Sequence, residues 1–176
     1  MHHQRASPLS RTAHFSARDT LHMVRTTSAD AAGSDAEAGT AFFKWPVRVY
    51  FEDTDAGGVV YYANYLKFFE RCRTEWLRAL GIDQSTLARE QGIQFVVAAI
   101  DAKYLQPARL DDELAIVARV LQLGRCSIVF DQLALRGGEL LARAQVKVAC
   151  VDSQRRMPAR LPQNLLSKIS LLPSKC

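Results

Sequence analysis

Large apolar residues recur every three to four positions from Ala63 to Leu80, at Tyr65, Phe68, Phe69, Cys72, Trp76, Leu77 and Leu80. Lys67, Glu70, Arg71, Arg73 and Arg78 occupy the opposite side, and Gly81 supplies a stop. This period predicts an amphipathic helix of about 18 residues, roughly 27 Å long, enough to cross a whole sheet. Upstream the period is two. Trp45, Val47, Val49 and Phe51 share one face of a predicted strand over Trp45–Phe51, with Pro46 marking its start at an edge or bend. Downstream, a shorter helix is predicted over Gln84–Gln91, capped by Asp83 or Ser85 and ended by Gly92. Four β-branched-rich runs follow, Ile93–Leu105, Glu113–Leu123, Cys126–Arg136 and Glu139–Val151. Gln106-Pro107, Gly124-Arg125 and Gly137-Gly138 separate them, the last two being short enough for hairpins. One strand, one long helix and an antiparallel meander of four strands make an α+β plan, with the helix burying its stripe on one sheet face.

Both ends of the chain differ from this middle. Residues 1–40 are rich in Ser, Thr, Ala, Arg and His without a sustained period, and are expected to be disordered. Their content resembles a transit peptide only faintly, because four acids are interspersed, and Met23 is an alternative start. The domain is placed at 41–155 and a basic, apolar tail at 156–176. Within the tail, three prolines surround Leu165, Leu166, Ile169, Leu171 and Leu172. A short helix beginning near Pro162 would pack on the domain or, alternatively, meet a membrane surface or a partner protein.

Charge and composition remove several function classes. The formal charge of +5 belongs to the end, where Arg155, Arg156, Arg160, Lys168 and Lys175 have no acid among them. Four arginines balance four acids in residues 1–40, which leaves 41–154 neutral. A neutral domain argues against nucleic-acid binding. No apolar run reaches membrane-span length. Cys72, Cys126, Cys150 and Cys176 form no CxxC and read as reduced thiols, in keeping with a cytoplasmic location. All four histidines, His2, His3, His14 and His22, precede the domain. Histidine-based triads and zinc sites are therefore excluded from it, and chemistry must use carboxylates, backbone amides, hydroxyls, thiols, Lys or Arg.

The stretch between strand and long helix, Tyr50-Phe51-Glu52-Asp53-Thr54-Asp55-Ala56-Gly57-Gly58-Val59-Val60-Tyr61-Tyr62, sets a carboxylate beside a helix start. Backbone N–H groups are free there and the helix dipole is positive, which suits an acyl-transfer site. Asp53 reads as a turn or capping acid. A divalent cation on Asp53 and Asp55 would need a third ligand, and none is near in sequence; neither metal nor cofactor is expected. Glu70 reads as a surface or inter-subunit partner for Arg73 or Thr74.

From Val47 to Tyr65, on through Phe69-Glu70-Arg71 and Arg73-Thr74-Glu75-Trp76-Leu77, the chain resembles the 4-hydroxybenzoyl-CoA thioesterase family. Within that family it is most like the acyl-CoA thioesterases associated with the Tol–Pal cell-envelope system. The resemblance covers about 41–155. It implies the hotdog fold, a curved antiparallel sheet around a central helix, assembled as a homodimer or homotetramer. It also implies hydrolysis of an acyl-CoA to free acid and CoA. The family's catalytic carboxylate falls on Asp55, and the amide that polarises the thioester carbonyl falls on Tyr62. Tol–Pal-associated members usually carry histidine at that second position, whereas this chain has Tyr62, as the 4-hydroxybenzoyl enzyme does. Asp55 would attack directly or activate a water, and both routes remain open. Gly57, Gly58 and Val59 form the turn that meets the substrate, and Asn64 positions water or the helix start. Arg125 and Ser127, at a hairpin, are candidates for the CoA phosphates by a looser likeness. The other class left open is a non-catalytic acyl-, CoA- or carrier-binding module working with envelope proteins. The tail would then supply a peripheral contact at the inner membrane. A hotdog dehydratase is remote, because its site relies on histidine.

Overall fold

The computed structural model describes residues 42–171. The disorder expected of residues 1–40 and the last residues of the tail lie outside the described residues. Strand β1 spans Phe42–Arg48, and a 3₁₀ turn spans Phe51–Asp53. Helix α1 covers Asn64–Ala79 and α2 covers Gln84–Gln91. Strands β2 (Ile93–Tyr104), β3 (Glu113–Leu123), β4 (Ser127–Arg136) and β5 (Glu139–Asp152) follow. The two-residue strand β6 (Met157–Pro158) and helix α3 (Gln163–Ser170) come last.

The strands form one antiparallel sheet in the order β1-β3-β4-β5-β2, with β6 beside β5. Register shifts at Val97/Ala99, Val120/Gln122 and Ala134/Leu135 interrupt the ladders. Such bulges bend strands and sharpen their twist, which curls the sheet around α1. Tyr65, Phe68, Phe69, Cys72, Trp76 and Leu77 bury the predicted stripe of α1 against Phe43, Val47, Leu114, Ile116, Ile128 and Phe130. Each such aromatic or aliphatic side chain contributes about 1.5–3 kcal/mol on burial. Trp76 meets Phe130 edge to face, with ring centroids 5.2 Å apart. The second helix matches its expected bounds. Asp83 accepts the Thr86 N–H at 2.7 Å, and Gly92 closes the helix at φ 64°.

Two expectations need correction. The first strand begins earlier, at Phe42, and ends at Arg48. It is a sheet edge, so Pro46 sits inside it without costing a ladder bond. Phe51, expected on the buried face, is 81% exposed in the 3₁₀ turn. The cause is Asp53, whose buried carboxylate accepts the Tyr50 N–H at 2.9 Å and bends the backbone out of the extended path. Second, only β3-β4-β5 is a meander. Strand β2 lies beyond β5, at the far edge, and returns to β3 through residues 105–112. A glycine-containing turn of two or three residues holds its strands adjacent, whereas an eight-residue connection leaves them free to separate.

After β6 the chain stays with the domain. Leu161 and Leu165 are buried in the core, Leu166 and Ile169 pack against it, and Lys168 Nζ donates to the Leu80 and Gly81 carbonyls. That cation satisfies acceptors left open at the C-terminus of α1. The apolar face of α3 is therefore spent on the domain. No helix among the described residues is long and apolar enough to cross a membrane.

Candidate active site

The site is assembled on a small loop between β1 and α1. Thr54 and Val60 form an isolated antiparallel bridge, so the chain between them returns on itself. Asp55 N–H donates to the Val59 carbonyl at 2.9 Å, and Gly58 N–H to the Asp55 carbonyl at 3.0 Å. Gly58 turns at φ 71°, a conformation any Cβ would strain. Gly57 N–H donates to Asp55 Oδ1 at 2.8 Å, and a Cβ on Gly57 would come within 3.1 Å of that same oxygen. The two glycines thus have separate jobs, one making the turn and the other letting the carboxylate lie against the backbone. Asp55 itself is exposed.

The loop is anchored from below. Val60 N–H donates to the Ala108 carbonyl at 2.8 Å, and Tyr61 N–H to the Asp53 carbonyl at 2.9 Å. Asn64 is buried, and its Nδ2 donates to that same Asp53 carbonyl at 2.9 Å. The bond ties the first residue of α1 to the turn that precedes Asp55. Ala108 N–H donates to the Tyr65 hydroxyl at 3.1 Å, which ties the β2–β3 connection to α1.

Tyr62 precedes the helix by two residues. It sits inside a turn from Tyr61 to Asn64, closed by the Asn64 N–H on the Tyr61 carbonyl at 2.8 Å. The Tyr62 N–H has no acceptor among the described residues. It lies at the positive end of α1, where an oxyanion is favoured. The side chains around it form an aromatic rim. Tyr61 and Tyr62 have centroids 4.6 Å apart, Tyr62 and Tyr104 6.1 Å, and Tyr65 and Tyr104 5.6 Å. A hydrogen bond with Tyr62 raises the Tyr61 phenol above its ordinary pKa, and the Asp55 carboxylate adds to the rise. Burial raises Tyr104 in the same direction.

Sequence reasoning missed Tyr61 and Tyr104. Tyr104 arrives from the far end of β2, a long-range juxtaposition with no local signal. No group of three or more His, Cys, Asp or Glu gathers at metal-binding spacing among the described residues. Arg125 and Ser127 are not brought to Asp55. They lie beyond the other end of β3, whose 11 residues span about 30 Å at roughly 3.3 Å per step. A cavity of about 90 Å³ also lies away from Asp55, further along α1, between Glu70, Arg73 and Thr74 and the sheet residues Phe95, Val97 and Phe130. Arg73 is buried there. It donates to Gln132 Oε1 at 2.6 Å, and burial lowers its pKa. Glu70 Oε1 accepts from Thr74 at 2.7 Å on the exposed side of the helix.

The model of the thioesterase-like superfamily matches residues 49–169. The chain belongs to this family. Its curled sheet and central helix are the hotdog fold. The acyl-CoA thioesterase YbgC of Haemophilus influenzae is 48% identical over 123 residues, 70% of this chain and 90% of that protein. The acyl-CoA thioester hydrolase YbgC of Escherichia coli O6:H1 is 45% identical over 130 residues, 73% of this chain and 96% of that protein. A probable thioesterase from Bartonella henselae superposes with a TM-score of 0.67 at 38% identity, covering 69% of this chain and all of that one. A 1,4-dihydroxy-2-naphthoyl-CoA thioesterase from Synechocystis gives a TM-score of 0.70 at 25% identity, covering 74% and 97%.

Proposed function

We propose that this protein hydrolyses acyl-CoA thioesters, with Asp55 and the Tyr62 amide as its reacting pair. The observation that carries this reading is an exposed carboxylate with one oxygen fixed by Gly57 N–H, on the loop that leads into a Tyr62 N–H with no acceptor among the described residues at the positive end of α1. The thioester carbonyl oxygen takes the Tyr62 N–H, which stabilises the charge that develops as the carbon becomes tetrahedral. Asp55 then acts by one of two routes. It draws a proton from a water that attacks the carbonyl carbon, or it attacks that carbon and forms a mixed anhydride that water opens. Either way the C–S bond breaks and CoA leaves as the thiolate. Relatives named as acyl-CoA thioesterases support the substrate class.

A second copy of the chain completes this reading. Strand β2 is a sheet edge, and Val97, Ile100 and Tyr104 are 47%, 40% and 44% exposed on it. An unpaired edge with apolar side chains is a template for another strand. Two-fold antiparallel pairing of β2 with its copy would set the Tyr104 end of one chain beside the Ile93 end of the other. Asp55 of one chain would then face the Arg125–Ser127 hairpin and the cavity beside Arg73 of its partner. CoA phosphates and acyl group would thus be held by the second chain. Contacts with cell-envelope proteins or the inner membrane have no comparable support, since the apolar face of α3 is already covered.

The test is thiol release over short, long and aromatic acyl-CoAs, for the native protein and Asp55→Asn. Asparagine keeps an acceptor for Gly57 N–H but provides neither base nor nucleophile. Turnover is expected to fall by about 10²–10⁴-fold with the fold intact. CoA-ester binding without thiol release by the native protein would instead mark a non-catalytic binding module.

A further inference from the structure

Two cysteines away from Asp55 lie on neighbouring backbone segments at one end of the sheet. Ser127 on β4 is registered with Ala149 on β5, so one step outward sets Cys126 opposite Cys150. Cys150 N–H donates to the Cys126 carbonyl at 2.9 Å, which holds the two backbones together although Cys126 lies in the bend just before β4 and the Cys150 carbonyl accepts from Ala159. Directly opposed antiparallel residues point their side chains to the same face. Opposed residues of an antiparallel ladder have Cα atoms about 4.5–5.5 Å apart, within the roughly 4.4–6.8 Å that a disulfide bridges. The partners differ in access. Cys126 is partly exposed at the hairpin, whereas Cys150 is fully enclosed, its Sγ 3.4 Å from the Arg160 carbonyl. Burial, and then the neighbouring Cys126, push the Cys150 thiol up to about 11.

We propose that Cys126 and Cys150 are an oxidisable pair, closed into a cross-strand disulfide by a small-molecule disulfide. The Cys126 thiolate attacks one sulfur of the reagent, breaking its S–S bond and expelling one thiolate. Cys150 then loses its proton and attacks the Cys126 sulfur, expelling the second. Two protein thiols are oxidised and one small disulfide is reduced to two thiols. Accessible Cys126 is the entry point and enclosed Cys150 the resolving thiol, so closure is the slow step and quickens with rising pH. In a reducing compartment the pair stays open.

The position gives the linkage a consequence. Arg125 and Ser127 flank Cys126, and the Arg125 carbonyl accepts the Leu161 N–H at 3.1 Å. A Cys126–Cys150 bond would fix the hairpin carrying both residues to β5. This coupling rests on the proposed role of Arg125 and Ser127 as CoA contacts; the disulfide itself does not.

The experiment uses the full chain on a Cys176→Ser background, reduced and then exposed to oxidised glutathione at pH 7 to 9. Free thiols are counted and peptides mapped by mass. The expected product is a Cys126–Cys150 peptide pair lighter by two hydrogens and reversed by dithiothreitol. Cys150→Ala should stop at a glutathione adduct on Cys126, and Cys126→Ser should give neither product. A native pair that keeps glutathione on Cys126, or stays reduced while the unfolded chain reacts, overturns the proposal. For the coupling, closure is expected to shift KM for acyl-CoA about threefold or more at constant kcat. Closure that leaves KM unmoved overturns the coupling. A reduced Arg125→Ala protein with native KM would instead overturn the CoA contacts themselves.

Discussion

Replacing Tyr62 with proline tests the proposed oxyanion donor by removing one backbone hydrogen. The turn from Tyr61 to Asn64 places Tyr62 at its second position, and Ala63 follows at φ −70°, ψ −20°. Proline is favoured at the second position of such turns, because its fixed φ near −65° is what the turn requires. The Tyr62 N–H bonds to nothing among the described residues, so its loss takes no hydrogen bond from the fold. Tyr62→Pro should therefore unfold within about 1 kcal/mol of Tyr62→Ala, the control that loses the ring and keeps the amide. Catalysis should respond differently. Removing one preorganised donor typically costs about 10²–10³-fold in kcat, or roughly 2.7–4 kcal/mol of transition-state stabilisation. The assay is thiol release at saturating acyl-CoA, comparing kcat of Tyr62→Pro with that of Tyr62→Ala, with thermal denaturation as the check on folding. A folded Tyr62→Pro protein within about threefold of Tyr62→Ala would refute the amide's role, since that gap is under 1 kcal/mol.

Phe68→Ala should destabilise the domain by about 3–5 kcal/mol, because Phe68 is fully enclosed in the core; urea denaturation measures it. Gly58→Ala should lower stability by about 1 kcal/mol through its φ of 71° alone, since a Cβ there meets no atom within 4 Å. Burial pushes the Cys72 thiol from 9.0 up to about 12. The folded state holds that proton more tightly than the unfolded chain, so this contribution is complete below about pH 9 and is lost as pH rises through 12. Iodoacetamide at pH 8 should accordingly leave Cys72 unlabelled until urea unfolds the protein, and rapid labelling of the folded protein would contradict its burial.

Elements fixed by neighbours in sequence were readable, and those fixed across the sheet were not. The stripe on α1, the Asp83 and Gly92 ends of α2, and the bounds of β3 follow from local periods and caps. Phe51 was misplaced because alternation continues past Arg48, while Asp53 turns the backbone through a bond that alternation cannot register. The position of β2 beyond β5 depends on which edge is free after the two hairpins close, and periodicity carries no such information. The same applies within the site. The Asp55 turn is written in Gly57 and Gly58, but Tyr104 reaches Tyr62 only because β2 returns along the sheet. The Arg125–Ser127 hairpin looked like a substrate contact by likeness alone. Its separation from Asp55 by the whole length of β3 means that the proposed role would require a second chain.

The absence of histidine from the domain also bears on which bond such a site can break. Cleaving an oxygen ester or an amide ordinarily requires a proton for the departing alkoxide or amine, and serine hydrolases deliver it through histidine. A thiol with a pKa near 8.5 leaves as a stable thiolate without that help. One half of the usual acid–base task is thereby removed. What remains is to bring a nucleophile to the carbonyl carbon and to stabilise the oxyanion, the two tasks proposed for Asp55 and the Tyr62 amide. Tyr61 does not supply the missing acid readily, because its pKa is raised rather than lowered. Its phenol remains a neutral hydrogen-bond donor on the rim. The arrangement is thus matched to thioesters by the leaving group it does not need to protonate.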